Sequence, residues 1–422
     1  MTIVQLFDAQ CTPFVTLQSA IVSPSFFPSV KLGFVTLNGS ADVHHWSGLN
    51  YHIARSLERA GATLVRVGPL THPWTPGMKL RRRWYGLTGH RYHANFESAA
   101  LDAFGAQARQ MIPGDVDAVV AVTSQVAASL SGLRVPVISW DDATPAAMTG
   151  YYPDFVRLSS RSARDADTMG HRATENVALA LYSSEWAASS ARSAYGLPTE
   201  RCAVVPFGAN LETLPTAREV SAMIAERSRT RCRLLWIGVD WERKRGDLVV
   251  EAAKRIEAQG IPVELTIVGC RPSGRDLPEW VNLEGFVSKR TAVGRARLAE
   301  LFARSHFLVV PSEAEAYGLV YCEAAAYGVP AVATRTGGVP TIVVDEETGV
   351  LEDPSAEADA YAGRIIALMR DRPRYESMAR AASARSAALL NWDVAGSVAL
   401  SRIAAAAGVV RARPRRMALT PI

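Results

Sequence analysis

The feature that most constrains this chain is an alternation, made twice, of short apolar runs with helical segments. In the first series KLGFVTLN, ATLVRVG, VDAVVAVTS, VPVISW and ALALYSS read as buried strands, and AVVPFGAN ends it. Between the first two, LNYHIARSLERAG places Leu49, Ile53 and Leu57 on one helical face and closes on Gly61. In the second series CRLLWIGVD, VELTIVGC, VNLEGFV, HFLVVPS and PAVATRT are strands, and TIVVDEETGVLEDP completes it. Helices are expected from Gly246 to about Gln259 and over ARLAELFARS. Three helical patterns, roughly 356–371, 373–388 and 392–408, follow. Alternation of this kind gives βαβ units and parallel sheets. The predicted fold class is therefore α/β: two Rossmann-like domains, with a break near 207–231 and a cleft between them. Ligands in such sheets bind outside the carboxyl ends of the strands. Residues 71–96, rich in Pro, Gly, aromatics and Arg, show no periodicity and read as a long functional loop.

Several function classes are excluded early. Hydrophobic residues make up 48% and charged residues 21% of the 422, as in a soluble globular protein. No run approaches the length of apolar sequence needed to span a bilayer. The first 30 residues lack a basic start followed by a solid apolar core, so no signal peptide is expected. Five scattered cysteines (Cys11, Cys202, Cys232, Cys270, Cys322), with no C-x-x-C, argue against a disulfide framework or zinc site. The expected location is the cytoplasm. Net charge is +5. Lys79-Leu80-Arg81-Arg82-Arg83-Trp84-Tyr85 and the tail Arg411 to Arg416 are short basic clusters. Each is a candidate for peripheral membrane contact or, more blandly, a solvated loop and a frayed tail. Neither lies on an obvious amphipathic helix, and no nucleic-acid partner is expected.

Three places carry chemistry. Gly48 precedes the first helix, where glycine lets a ligand approach backbone N–H groups. His44 and His45 beside it have no further metal-ligand pattern. In IGVDWERKRGD, Gly238 closes a strand, and Arg243, Lys244 and Arg245 precede a helix, where cations suit a diphosphate. In PSEAEAYGLVYCEAAAYGVP, Glu315 stands before a helix start at Gly318, and Glu323 lies about a turn and a half into that helix. Such carboxylates can offset a helix dipole or hold ligand hydroxyls, with Ala316 to Leu319 offering free N–H groups. Glu313 reads as surface charge. Two D-x-D matches, Asp115/Asp117 and Asp165/Asp167, are too short to assign to a metal.

Glu315 and Glu323, seven residues apart, resemble the E-x7-E signature of retaining glycosyltransferases of the GT-B fold, family four (glycosyl transferases group 1). The resemblance extends through Gly337-Gly338-Val339-Pro340, ETGVLEDP and SSEWAASSARSAYGLPTERCAVVPFGAN, and to Gly48. It implies transfer of a hexosyl unit from a nucleotide diphosphate sugar, with retained configuration and without a metal or other cofactor. The acceptor would be a glycan, a lipid-linked sugar or a small molecule, in polysaccharide or glycoconjugate biosynthesis. The resemblance gives Glu315 to the donor sugar, Glu323 to the ribose and Lys244 to the diphosphate. Tyr317, Gly318, Leu319 and Val320 would line the sugar-phosphate site, with Gly238 at its edge, Gly48 facing the phosphates and Phe286 near the nucleobase. C-terminal helices would cross back onto the first domain. The implied domains are an extension at 1–30, an acceptor-side domain at 31–207, a donor domain at 208–390, and a cross-over helix and basic tail at 391–422. Two positions depart from the family. Val239 stands where an arginine is common, with Arg243 or Arg245 as candidate replacements. SWDDATP stands where a His-Asp pair is common. These departures motivate the alternative of a non-catalytic nucleotide-sugar-binding or partner subunit.

Overall fold

The computed structural model describes residues 30–41 and 45–409. The expected N-terminal extension up to Ser29, His44 and the basic tail Arg411 to Arg416 lie outside the described residues. Among the described residues two six-stranded sheets form, both parallel throughout. The first contains β1 (Lys31–Val35), β2 (Thr63–Val67), β3 (Ala118–Ala121), β4 (Val137–Asp141), β5 (Leu179–Tyr182) and β6 (Cys202–Val204), in the order β2-β1-β3-β4-β5-β6. The second contains β7 (Cys232–Ile237), β8 (Val263–Val268), β9 (Val281–Gly285), β10 (Phe307–Val310), β11 (Ala331–Thr334) and β12 (Gly349–Glu352), in the order β12-β11-β10-β7-β8-β9. Strands β3, β4, β5, β10 and β11 are buried at every position. Helices cover both faces of such sheets, which is why these strands read as unbroken apolar runs.

The strand order locates two crevices. In the first sheet the chain reverses its direction of progress between β1 and β3, and in the second between β7 and β10. Loops leaving the two strands at such a point splay to opposite faces and leave a gap at the carboxyl edge.

The last described helix, Trp392–Ala406, crosses back and lies on helix Leu49–Arg59 of the first domain. The approach is close enough that a Cβ at Gly396 would sit 2.3 Å from the Ser56 carbonyl oxygen. Trp392 anchors the crossing: His52 stacks on it at 5.7 Å, and Trp140 and Phe207 close around it.

One expectation needs correction, and two segments gain detail. Residues 71–96 are not a plain loop: Pro76–Leu87 is helical, with Thr75 accepting the Met78 N–H and Pro76 in the first turn. The break at 207–231 contains helix Ala217–Glu226, opened by a capping box between Thr216 and Glu219. TIVVDEETGVLEDP begins inside helix Val339–Ile342 and carries β12.

Candidate functional site

The loop leaving β7 supplies the cations. Lys244 reaches back beneath Gly238, where a Cβ would stand 2.4 Å from the Lys244 Cδ, so glycine clears the path. The Lys244 carbonyl accepts the Trp236 indole N–H at 3.2 Å, which fixes the turn. Arg243 donates to the Ala314 carbonyl at 2.7 Å, and its guanidinium lies over the Tyr152 ring at 5.1 Å. Arg245 turns elsewhere, toward the Pro354 and Ala356 carbonyls.

The loop leaving β10 supplies the anion and the helix terminus. Glu315 accepts from Lys244 Nζ and from Ser312 Oγ, both at 3.1 Å, and the Arg243 guanidinium stands 3.6 Å away. All three contacts fall on Oε2. Burial would raise this carboxyl, but Lys244 and Arg243 outweigh it and hold its pKa below the usual glutamate value. Helix Leu319–Ala326 starts at Gly318, whose φ of 100° suits glycine, and a Cβ there would meet the Tyr321 ring at 2.5 Å. Glu323 projects from that helix, 3% exposed, and pairs with Lys289 of the loop after β9.

The first domain forms the opposite wall. Ser47 accepts through its carbonyl from the Asn210 amide at 2.6 Å, and Asn210 also receives the Trp392 indole N–H at 2.9 Å. The Tyr151 hydroxyl accepts the Glu315 N–H at 2.8 Å and bonds Thr336 at 2.8 Å, tying the two domains at the carboxylate. Beyond β4, Asp141 is held by Ser124 and by the Asp142 N–H. Asp142 lines the cleft half-buried. Lost hydration there, then the neighbouring anions Asp141 and Glu315, push its carboxyl well above the ordinary range.

These walls enclose a cleft of about 420 Å³. It brings together Gly238, Arg243, Lys244, Glu315, Tyr317, Gly318, Leu319, Val320 and Glu323. Val239 lines it as well. Tyr317 contributes little side-chain polarity, because its hydroxyl is spent on the Phe207 carbonyl at 2.8 Å. Gly48 is buried behind Trp46, Ser47 and Leu49, which are the residues that reach the cleft. Phe286 is not in the wall: it stands 68% exposed just past β9. A smaller hollow of about 250 Å³ adjoins the cleft through Asn210, Lys289 and Glu323 and runs on over Arg295 and Phe302. Sequence reasoning missed Lys289, Asn210, Tyr151 and Tyr152. The tyrosine pair before Pro153, in the loop after helix Pro145–Met148, was the one visible signal among them. Asp115 and Asp117 hold the Lys31 ammonium and amide and so fasten the start of β1. Among the described residues no cluster of three or more His, Cys, Asp or Glu side chains is placed to hold a metal.

Two parallel-sheet domains with a cationic cleft between their switch points define the GT-B class. Residues 226–385 match the family model described as "Glycosyl transferases group 1", and that segment is a domain of this family. Among curated relatives, D-inositol 3-phosphate glycosyltransferase of Xylanimonas cellulosilytica is 34% identical over 236 residues, covering 53% of this chain and 55% of the relative. The enzyme of the same name from Thermomonospora curvata is 31% identical over 218 residues, covering 47% and 50%. The matched stretches thus span about half the length of these relatives. Among solved structures, sucrose-phosphate synthase of Thermosynechococcus elongatus superposes with a TM-score of 0.61 at 17% identity, covering 89% of this chain and 98% of that one. Anabaena HepE in complex with UDP-glucose gives 0.59 at 17%, covering 90% and 100%. At these identities the superpositions establish the fold.

Proposed function

We propose that this chain is a retaining glycosyltransferase that moves a hexosyl unit from a nucleoside diphosphate sugar to a carbohydrate, lipid-linked or small-molecule acceptor. The carrying observation is that Lys244, Arg243 and the start of helix Leu319–Ala326 line one cleft, with Glu315 beside the two cations. Ammonium, guanidinium and helix N–H groups together suit a diphosphate. Because the Lys244, Ser312 and Arg243 contacts of Glu315 all fall on Oε2, Oε1 is the oxygen left for sugar hydroxyls. Glu323, freed from Lys289, takes the ribose diol. Arg243 fills the place of the family's missing arginine, since Arg245 faces away from the cleft.

In this reading the acceptor hydroxyl attacks the anomeric carbon from the face the diphosphate leaves. The bond from carbon to the diphosphate oxygen breaks, and the hydroxyl proton passes to a departing phosphate oxygen. Lys244, Arg243 and the helix start stabilise the charge that develops there, so the scheme assigns that work to the protein's own cations and calls on no metal. Closure of the two domains excludes water from the donor.

The names of the relatives suggest a phosphorylated inositol as the first acceptor to try, and the HepE ligands suggest UDP and UDP-glucose as first donor probes. The test is release of nucleoside diphosphate from a panel of nucleotide sugars, with Glu315→Gln as control. Release from one donor that falls about ten- to hundredfold in Glu315→Gln, the worth of a hydrogen bond to a charged group, supports the reading. Tight donor binding with no release under any acceptor would favour the alternative of a non-catalytic nucleotide-sugar-binding subunit. That alternative draws on Val239 and on Asp141-Asp142 in place of the family's usual residues.

A further inference from the structure

The surface of helix Pro76–Leu87 is unusual for a helix that ends in solvent. Leu80, Trp84 and Leu87 are 70%, 63% and 77% exposed. Their spacing of four and three residues stacks them in one stripe at about 100° per residue. Met78, Arg81 and Tyr85 face the domain instead: Met78 is buried, Arg81 pairs with Glu97 at 2.9 Å, and Tyr85 stacks on Tyr92 at 5.7 Å. Lys79 and Arg83 flank the stripe, both exposed. Arg82 lies over the ring of Trp74, itself 41% exposed, at 5.6 Å. Large apolar side chains rimmed by cations, on a helix whose other side is fixed to a domain, match the surface of a helix that lies in a membrane interface.

We propose that helix Pro76–Leu87 docks on an anionic lipid bilayer, with Leu80, Trp84 and Leu87 in the headgroup–acyl boundary and Lys79 and Arg83 on the lipid phosphates. Charge decides between the occupants. A second copy seated on the stripe would bring the Lys79 and Arg83 cations of both copies together, whereas an anionic leaflet attracts them. The location suits delivery of a membrane-borne acceptor. Tyr85 stacks on Tyr92, and the next residue, His93, stacks on Phe155 at 5.7 Å. Phe155 lines the cleft. The inference rests on exposure and charge, independently of the transfer reading.

The test is co-sedimentation of the full chain with vesicles of phosphatidylcholine alone and of phosphatidylcholine mixed with phosphatidylglycerol, with UDP binding measured by calorimetry on the same samples. The wild type is expected to bind the anionic vesicles and to be released by salt. The variant Leu80→Ser/Trp84→Ser/Leu87→Ser, altered only at exposed positions, is expected to lose at least about tenfold in partitioning, as is Lys79→Glu/Arg83→Glu. Both should bind UDP as the wild type does. Undiminished vesicle binding by the triple variant would overturn the proposal and place the contact elsewhere. Absence of vesicle binding by the wild type, with a dimer in solution that the triple variant loses, would overturn it in favour of self-association. Vesicle binding without UDP binding by the wild type would sink the transfer reading and leave this one standing.

Discussion

Glu315 and Lys244 form a pair whose members depend on each other. Both are nine-tenths buried, and each charge is acceptable in the cleft wall because the other is 3.1 Å away. Lys244→Ala is therefore expected to lower stability by about 3–5 kcal/mol, the usual cost of stranding a buried charge. Glu315→Gln should cost less, since the amide oxygen can still accept from Lys244. Urea denaturation of the two variants measures the difference, and a loss in Glu315→Gln as large as that in Lys244→Ala would refute the claim that the amide keeps Lys244 satisfied. Asp142 has the opposite character. Its carboxyl is raised in the folded state by burial and by the anions Asp141 and Glu315, so the native protein binds more protons than the unfolded chain as pH rises past the ordinary aspartate range. Stability must then fall with rising pH through that window, which extends upward from about pH 4. Asp142→Asn removes the titration. The variant is expected to gain on the wild type from pH 4 to pH 7 in denaturation midpoints, and a parallel pair of curves would refute the assignment.

At the scale of elements, the helices whose inward faces are apolar were legible, and the helix whose inward face is polar was not. Leu49, Ile53 and Leu57 mark helix Leu49–Arg59 because each is buried against the first sheet. Helix Pro76–Leu87 carries its apolar spacing, Leu80, Trp84 and Leu87, at exposed positions among Pro, Gly and Arg, while Met78 and the Arg81–Glu97 pair hold it to the domain, so no core-facing stripe of the usual length marks it. Its Thr75-Pro76 start was readable as a cap followed by proline in the first turn. The E-x7-E helix was legible because loop, glycine and both carboxylates are contiguous. Gly318→Ala tests that start. Its φ of 100° and the Tyr321 ring 2.5 Å from the added Cβ leave no relaxed position for a methyl group. The expected result is a loss of about 1–3 kcal/mol in stability and weaker UDP binding, read by thermal melts with and without UDP. The cross-over helix makes a matching case where it packs on helix Leu49–Arg59. Gly396→Leu would drive a side chain into the Ser56 carbonyl and should destabilise the chain by several kcal/mol while leaving the cleft residues in place.

Across the whole molecule, the site belongs to neither domain alone, and this explains what sequence could not supply. Glu315 and Tyr151 lie 164 residues apart and meet only when the two sheets face each other. Asn210 joins the first loop to the cross-over helix in the same way, through Ser47 and Trp392. No local spacing encodes such pairs; they follow from how the domains are held together. Tyr151 is the clearest point at which that arrangement bears on the site. Its hydroxyl takes the Glu315 N–H and bonds Thr336, while the neighbouring Tyr152 ring lies under the Arg243 guanidinium. Tyr151→Phe keeps the ring against Trp186 and deletes the hydroxyl alone. A lost hydrogen bond of this kind is worth about 1 kcal/mol, and leaving the Glu315 N–H unsatisfied adds to that. In domains of this size about 1 kcal/mol lowers the melting temperature by roughly 2–4 °C. If the clasp also positions Glu315 and Arg243 for the donor, UDP-sugar affinity should fall by about threefold to tenfold, and more than affinity for UDP alone, because the proposed function gives the carboxylate to the sugar. Calorimetric titration with UDP and with UDP-glucose separates the two effects. A lower melting temperature with both affinities intact would make Tyr151 a tie between domains and nothing more, whereas a selective loss for the sugar nucleotide would make the interdomain clasp part of donor recognition.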